Sequence, residues 1–180
     1  MKTRDMVLIA LMAVMICLCS WINIALFSLI PFTMQTFAIY CAMLLLGGRR
    51  GSMAVLLYVF TGAVGLPVFS GFSAGFGALL GPSGGYILGF ILCALLYWLL
   101  EKRLNHVLLL ILGTALCYAF GTLWFVGVYS AGGSPISVGA ALMTCVVPFI
   151  IPDGAKLALA VMVCSRLMRG RFSVHAQGRR

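Results

Sequence analysis

Charge is nearly absent from this chain of 180 residues. Only 8% are Asp, Glu, Lys or Arg, and the acidic residues number three: Asp5, Glu101 and Asp153. A soluble domain carries about a quarter charged and about half apolar residues, whereas this chain is 63% hydrophobic with a mean hydropathy of +1.17. These values describe an integral membrane protein with the lipid bilayer as its solvent. Two histidines, no H-E-x-x-H, no paired carboxylates and no Cys/His cluster leave catalysis and metal binding almost without candidate residues. No C-x-x-C occurs, and the seven cysteines, an odd count, all lie in apolar stretches. They read as small buried hydrophobes rather than as disulfide or zinc partners. No polar linker or low-complexity block divides the chain, so residues 1–180 are expected to form one membrane domain.

The apolar runs cover approximately 6–30, 32–47, 51–66, 85–100, 107–128 and 136–165. Each is long enough, or nearly so, to cross hydrocarbon as a helix. The second and third, about 16 residues each, would reach only roughly 24 Å. The net charge of +9 could suggest nucleic acid, but the twelve basic residues form no binding stripe. Lys2 and Arg4 precede the first run, Arg49 and Arg50 follow the second, Lys102 and Arg103 follow the fourth, and Arg166, Arg169, Arg171, Arg179 and Arg180 follow the sixth. The alternate connections, 31–35, 67–84 and 129–135, contain no Lys or Arg. By the positive-inside rule this pattern predicts an all-α compact bundle of six transmembrane helices with both termini cytoplasmic. The first run continues to Ile30 without a small-x-small cleavage site, so it is expected to be a retained span rather than a signal peptide.

Two charges break the apolar sixth run: Asp153 and Lys156. An ion inside a membrane segment is costly and marks a ligand or ion pathway by default, or a partner that satisfies it. At a spacing of three the two side chains share a helix face. They can grip one ligand together or lock two helices as a self-satisfied pair, and both readings stay open. Pro148 and Pro152 interrupt the run, and Pro152 suits the first turn of a new helix reaching to Arg166. Asp153 then sits 13 residues, roughly 20 Å, before the cytoplasmic edge, in the outer half of the membrane.

Glycine gathers on that same side, with nine between Gly62 and Gly89. Gly85 and Gly89 form a small-residue stripe for tight helix packing. The loop Leu66-Pro67-Val68-Phe69-Ser70-Gly71-Phe72 is too apolar to stand in water and is expected to fold over the bundle, as a lid or as a packing loop. Gly81-Pro82-Ser83-Gly84 contains the G-x-S-G of intramembrane serine proteases of the rhomboid type. His106, however, is expected at the opposite membrane face and His175 in the cytoplasmic tail, so Ser83 lacks its base. Gly47-Gly48-Arg49-Arg50-Gly51-Ser52 lacks the lysine and spacing of a phosphate loop and reads as a cytoplasmic turn. Tyr86 is placed either near the outer mouth of a site or as an interfacial anchor. Gln35 is a ligand contact or a helix cap, and the pattern alone favours the cap.

Three segments together resemble the BioY family, the biotin-specific substrate-binding (S) components of energy-coupling-factor (ECF) transporters. They are Pro31-Phe32-Thr33-Met34-Gln35-Thr36, the run from Gly62 through Gly65-Leu66-Pro67-Val68-Phe69 to Gly81-Pro82-Ser83-Gly84-Gly85-Tyr86, and Pro148-Phe149 with Asp153 and Lys156. Ser83 stands where the family usually shows threonine, and the family's small-xxx-small docking stripe on span one is reduced to Ala10, Ala13, Cys17 and Ser20. The resemblance implies a cell-membrane subunit that captures biotin from outside. It further implies docking on a transmembrane coupling subunit driven by two cytoplasmic ATPase subunits, with no cofactor and no enzymatic activity of its own. Biotin's ureido group has two N–H donors and one carbonyl acceptor, its carboxylate lies at the opposite end, and its ring and chain need an apolar wall. The adjacent Asp153 and Lys156 are expected at the ureido head, with contact of Lys156 to the carboxylate as the alternative. Tyr86, Ser83, Gln35 and the backbone of Gly84 are expected to supply further polar contacts, and Phe69 and Phe72 to close the top. The alternatives are an S component for thiamine or riboflavin, or an intramembrane protease using Ser83.

Overall fold

The computed structural model describes residues 3–24 and 31–177. Lys2, Arg179, Arg180 and the expected end of the first span at Ile30 fall outside the described residues, as do the side chains of Arg171 and His175. Helix α1 (Thr3–Trp21) leads into strand β1 (Asn23–Ile24), which pairs antiparallel with β2 (Phe32–Thr33). Then come α2 (Gln35–Ala63), α3 (Gly75–Leu80), α4 (Gly84–Leu100), α5 (His106–Ala131), α6 (Val138–Cys145) and α7 (Val147–Gln177). The first helix therefore ends at Trp21, and the chain leaves it as a short ribbon.

The second and third expected spans are the two arms of α2. Gly47, at φ +76° and ψ 171°, breaks the helix, in a region essentially reserved for glycine that costs other residues about 1–3 kcal/mol. The arms fold back on each other: Gly51 lies against Met43 and the Ala42 carbonyl, and near the far end Gln35 bonds to Tyr58. Glu101, just past α4, accepts the Gly48 N–H at 2.5 Å, and Arg50 pairs with Asp5 at 3.2 Å. The turn read from Gly47–Ser52 is thus braced by two of the chain's three acids.

The glycine stripe of α4 meets α5 in a reciprocal manner. Gly85 and Gly89 face Trp124 and Cys117, while Gly113 and Gly121 on α5 face Cys93 and Tyr86 on α4. A methyl group at any of the four would overlap its neighbour, so the missing side chains set the approach of the two helices. The cysteines fill this interior as thiols: five of the seven are buried and all are free.

The sixth expected span divides where a break was expected, but at a different residue. The chain turns at Val146 (φ −122°, ψ −54°) between α6 and α7, which puts Pro148 in the first turn of α7 and Pro152 inside it. Proline needs no N–H partner in a first turn, so Pro148 suits the start of the helix. Among the described residues four helical stretches are long and apolar enough to cross a membrane, α6 and α7 counting as one; α4, of 17 residues, is shorter. Large apolar side chains point outward all round the bundle, among them Phe60, Leu99, Leu123 and Ile151. A protein surrounded by water would bury such a continuous surface, whereas lipid matches it.

Candidate substrate-binding site

Four helices each send a stripe of residues, spaced three or four apart, into one cavity of about 600 Å³. The first arm of α2 supplies Thr36 and Tyr40, α4 supplies Tyr86, Phe90 and Cys93, α5 supplies Thr114, Cys117 and Tyr118, and α7 supplies Phe149, Asp153 and Lys156. Pro31 and Thr33, at the ribbon, complete one wall. The lining has the composition usual for sites that hold small organic ligands: mostly apolar, with a few placed polar groups.

Asp153 and Lys156 are both buried, with 6% and 5% of their surface exposed. Lys156 Nζ donates to Asp153 Oδ1 and to the Thr33 carbonyl, each at 2.7 Å, and stands 3.8 Å from the centre of the Phe32 ring. Phe32 in turn stacks on Phe149, with ring centres 6.3 Å apart. The carboxylate is held from two further helices: Thr36 Oγ1 donates to Oδ1 at 3.1 Å and the Tyr118 hydroxyl to Oδ2 at 2.5 Å. A buried ion pair offsets its desolvation only when its other hydrogen-bonding capacity is also met, and these partners meet it. Three donors leave Asp153 one further lone pair, since a carboxylate accepts about four bonds.

The other expected site residues divide between this cavity and its surroundings. Tyr86 lines the cavity and is buried, its hydroxyl 3.1 Å from Thr122 Oγ1, so it is no interfacial anchor. Gln35 is buried and donates to the Tyr58 hydroxyl at 2.8 Å; the N-terminal position of α2 belongs to Met34, so Gln35 does not cap the helix. Gln35, Ser83 and Phe69 line an adjoining cavity of about 480 Å³ that shares Pro31, Thr33, Tyr86 and Phe90 with the main one. Gly84 lines neither; it lies against the Leu79 backbone where a side chain would collide. Phe69 is buried edge-on to Tyr58, in a notch opened by Gly62, whereas Phe72 is 62% exposed and rests on the Trp21 ring. The 66–72 loop is fastened to the end of α1 by bonds from Ser20 to the Val68 carbonyl and from Trp21 to the Pro67 carbonyl.

Sequence reasoning passed over Thr36, Tyr40, Thr114 and Tyr118. The signal was a step of four: Thr114, Tyr118 and Thr122 put three hydroxyls on one face of α5. Each bonds to a different helix, Thr114 to Tyr40 on α2 (2.7 Å), Tyr118 to Asp153 on α7 and Thr122 to Tyr86 on α4. Ser83 and His106 mark opposite ends of α4, about 25 Å apart along its length. His106 is engaged by the Tyr97 hydroxyl at 2.9 Å, so the arrangement offers Ser83 no base from that histidine.

The family model described as "BioY family" matches residues 1–172. The chain belongs to the BioY family. Several relatives match over nearly their full lengths. A probable biotin transporter BioY of Pyrococcus horikoshii is 34% identical, covering 93% of this chain and 98% of the relative. The biotin transporter BioY of Thermotoga maritima is 35% identical, covering 92% and 96%. A crystal structure at 2.1 Å of the S-component for biotin from an ECF-type ABC transporter superposes with a TM-score of 0.79 at 25% identity, covering 94% of this chain and 95% of that one. Family membership and the apolar helices make this a multi-pass protein of the cell membrane, in a family of transporters rather than enzymes.

Proposed function

We propose that this protein binds biotin in the Asp153–Lys156 cavity and delivers it across the cell membrane as the S component of an ECF-type transporter. The observation that carries this reading is a hydrogen-bonded ion pair facing an apolar cavity in a chain whose relatives are biotin transporters. The Asp153 carboxylate accepts one ureido N–H with its remaining lone pair, Lys156 donates to the ureido carbonyl, and Phe90, Phe149 and Tyr86 wall the ring and chain. Gln35, Ser83 and the backbone near Gly84 serve the other end of the ligand through the adjoining cavity, beneath the loop that carries Phe69 and Phe72. A cationic vitamin such as thiamine would meet Lys156 unfavourably.

The basic residues Arg4, Arg49, Arg50, Lys102 and Arg103 belong to the bundle end braced by Asp5 and Glu101, with the 66–72 loop at the other. This supports a single membrane domain with cytoplasmic termini and a site in the outer half of the membrane. Uphill transport then requires separate subunits: a transmembrane coupling protein and two cytoplasmic ATPases. The test is equilibrium binding of labelled biotin to the detergent-purified chain, in competition with thiamine and riboflavin. One biotin per chain, displaced by neither vitamin, is expected; displacement by either, or no binding, overturns the reading.

A further inference from the structure

On the far side of the ion pair lies a second space, a groove of about 520 Å³ between α5 and α7. Its flanks are Ile111 and Ala115 on α5 and Ile150 and Gly154 on α7, all exposed on the lipid-facing surface of the bundle. The groove and the cavity share four residues: Tyr40, Thr114, Tyr118 and Asp153. These form two hydrogen-bonded pairs, Tyr40 with Thr114 and Tyr118 with Asp153. Thr114 already gives its hydroxyl hydrogen to the Leu110 carbonyl, so Tyr40 is the donor in its pair. Among the described residues no helix closes the gap behind these side chains, because α5 packs chiefly on α4 and α7 chiefly on α2.

We infer that Tyr118 is the lateral partition of the site: its ring separates the ligand cavity from the lipid-facing groove and limits the size of the ligand's buried end. Tyr118 is the shared side chain large enough to fill the gap and anchored on both sides, by α5 through its backbone and by α7 through Asp153. Tyr40 closes the neighbouring stretch toward α2. The choice of ligand below rests on the biotin reading. With the ureido head on Asp153, the space beyond Tyr118 lies past that head, so a substituent on a ureido nitrogen would run into the ring.

The test uses the full chain in phospholipid nanodiscs, as wild type, Tyr118→Phe and Tyr118→Ala, with Tyr118→Val as the substitute should the alanine variant fail to fold. The first measurement needs no ligand: modification of Cys117, a cavity-lining thiol, by a lipid-soluble N-alkylmaleimide, quantified by peptide mass spectrometry. Wild type and Tyr118→Phe are expected to react slowly and alike, and Tyr118→Ala at least tenfold faster. Equal acceleration in the phenylalanine and alanine variants would make the hydroxyl, not the ring, responsible and overturn the inference, as would no acceleration in either. The second measurement is binding of biotin and of a ureido-N-alkyl biotin. Tyr118→Phe should weaken biotin about tenfold, the effect of one lost hydrogen bond to a charged group, and still reject the alkylated ligand, which only Tyr118→Ala accepts. Rejection by all three variants overturns the size limit. If the wild type binds no biotin, the biotin reading fails and the labelling rates alone decide the partition.

Discussion

The Tyr118 hydroxyl donates to Asp153 Oδ2 at 2.5 Å and so ties α5 to α7, two helices that otherwise hold to different neighbours. Together with the Thr114 and Thr122 hydroxyls on the same face, it makes α5 the element that fastens all the other cavity helices to one ladder. The two buried ions therefore rest in a frame of neutral hydroxyls, which orient the carboxylate without adding charge to an apolar interior.

The frame allows the locking and binding roles of the ion pair to be separated. Asp153→Asn or Lys156→Ala leaves the partner charge buried and uncompensated, and should weaken biotin by about 2–5 kcal/mol while lowering thermal stability. Replacing both, as Asp153→Leu with Lys156→Met, removes the desolvation problem and should recover most of the lost stability. Binding should remain abolished. Thermal unfolding and biotin titration on the four proteins check this; a double variant that still bound biotin would show the pair to be a lock alone.

How much of this could be read in the sequence depends on the kind of signal. Charge in an apolar run is rare enough that Asp153 and Lys156 stood out at once, and alternating basic flanks marked the six expected spans. Gly85 and Gly89 were legible because close helix packing needs missing side chains at a step of four. Tyr118 and Thr36 were not, because an uncharged hydroxyl costs little in a membrane helix and so interrupts no pattern. The roles of Phe69 and Phe72 were also hidden. Both sit in one apolar loop, and only the notch at Gly62 and the left-handed backbone at Gly71 and Phe72 turn one ring inward and the other out.

The α4–α5 contact yields a stability prediction with an internal control. Gly113 faces Cys93, whereas a side chain at Gly127, on the same helix, would meet nothing within 4 Å. Gly113→Leu should force the helices apart at a cost of about 1–3 kcal/mol, and Gly127→Leu should be neutral or slightly stabilising through better helix propensity. Thermal unfolding of the two variants decides, with equal losses counting against the packing account.

The reversal within α2 depends on Gly47 and on the Gly48 N–H bonded to Glu101. Gly47→Ala should cost about 1–3 kcal/mol, because φ +76° with ψ 171° is a conformation essentially reserved for glycine. Glu101→Gln keeps an acceptor in place but loses its charge, and should cost less, about 1 kcal/mol. Neither lies near the cavity, so biotin affinity in the folded fraction should not change. A large change in affinity would mean that the two ends of the bundle are coupled.

The loop over the adjoining cavity is fastened at the end of α1 and plugged by a single ring. Phe69 is buried against Gly62 and Tyr58, so Phe69→Ala should leave a cavity costing about 3–5 kcal/mol and free the 66–72 backbone. Phe72 rests in the open on Trp21, so Phe72→Ala should stay within about 0.5 kcal/mol of wild type. Ser20→Ala, which strands the Val68 carbonyl, should fall between them at about 1–3 kcal/mol. Hydrogen exchange across residues 66–73 and the biotin dissociation rate should both rise in the order Phe72→Ala, Ser20→Ala, Phe69→Ala. If Phe72→Ala instead speeds dissociation as much as Phe69→Ala, the exposed ring folds down over the ligand in the bound state, and the closing element is the outer edge of the loop rather than its buried plug.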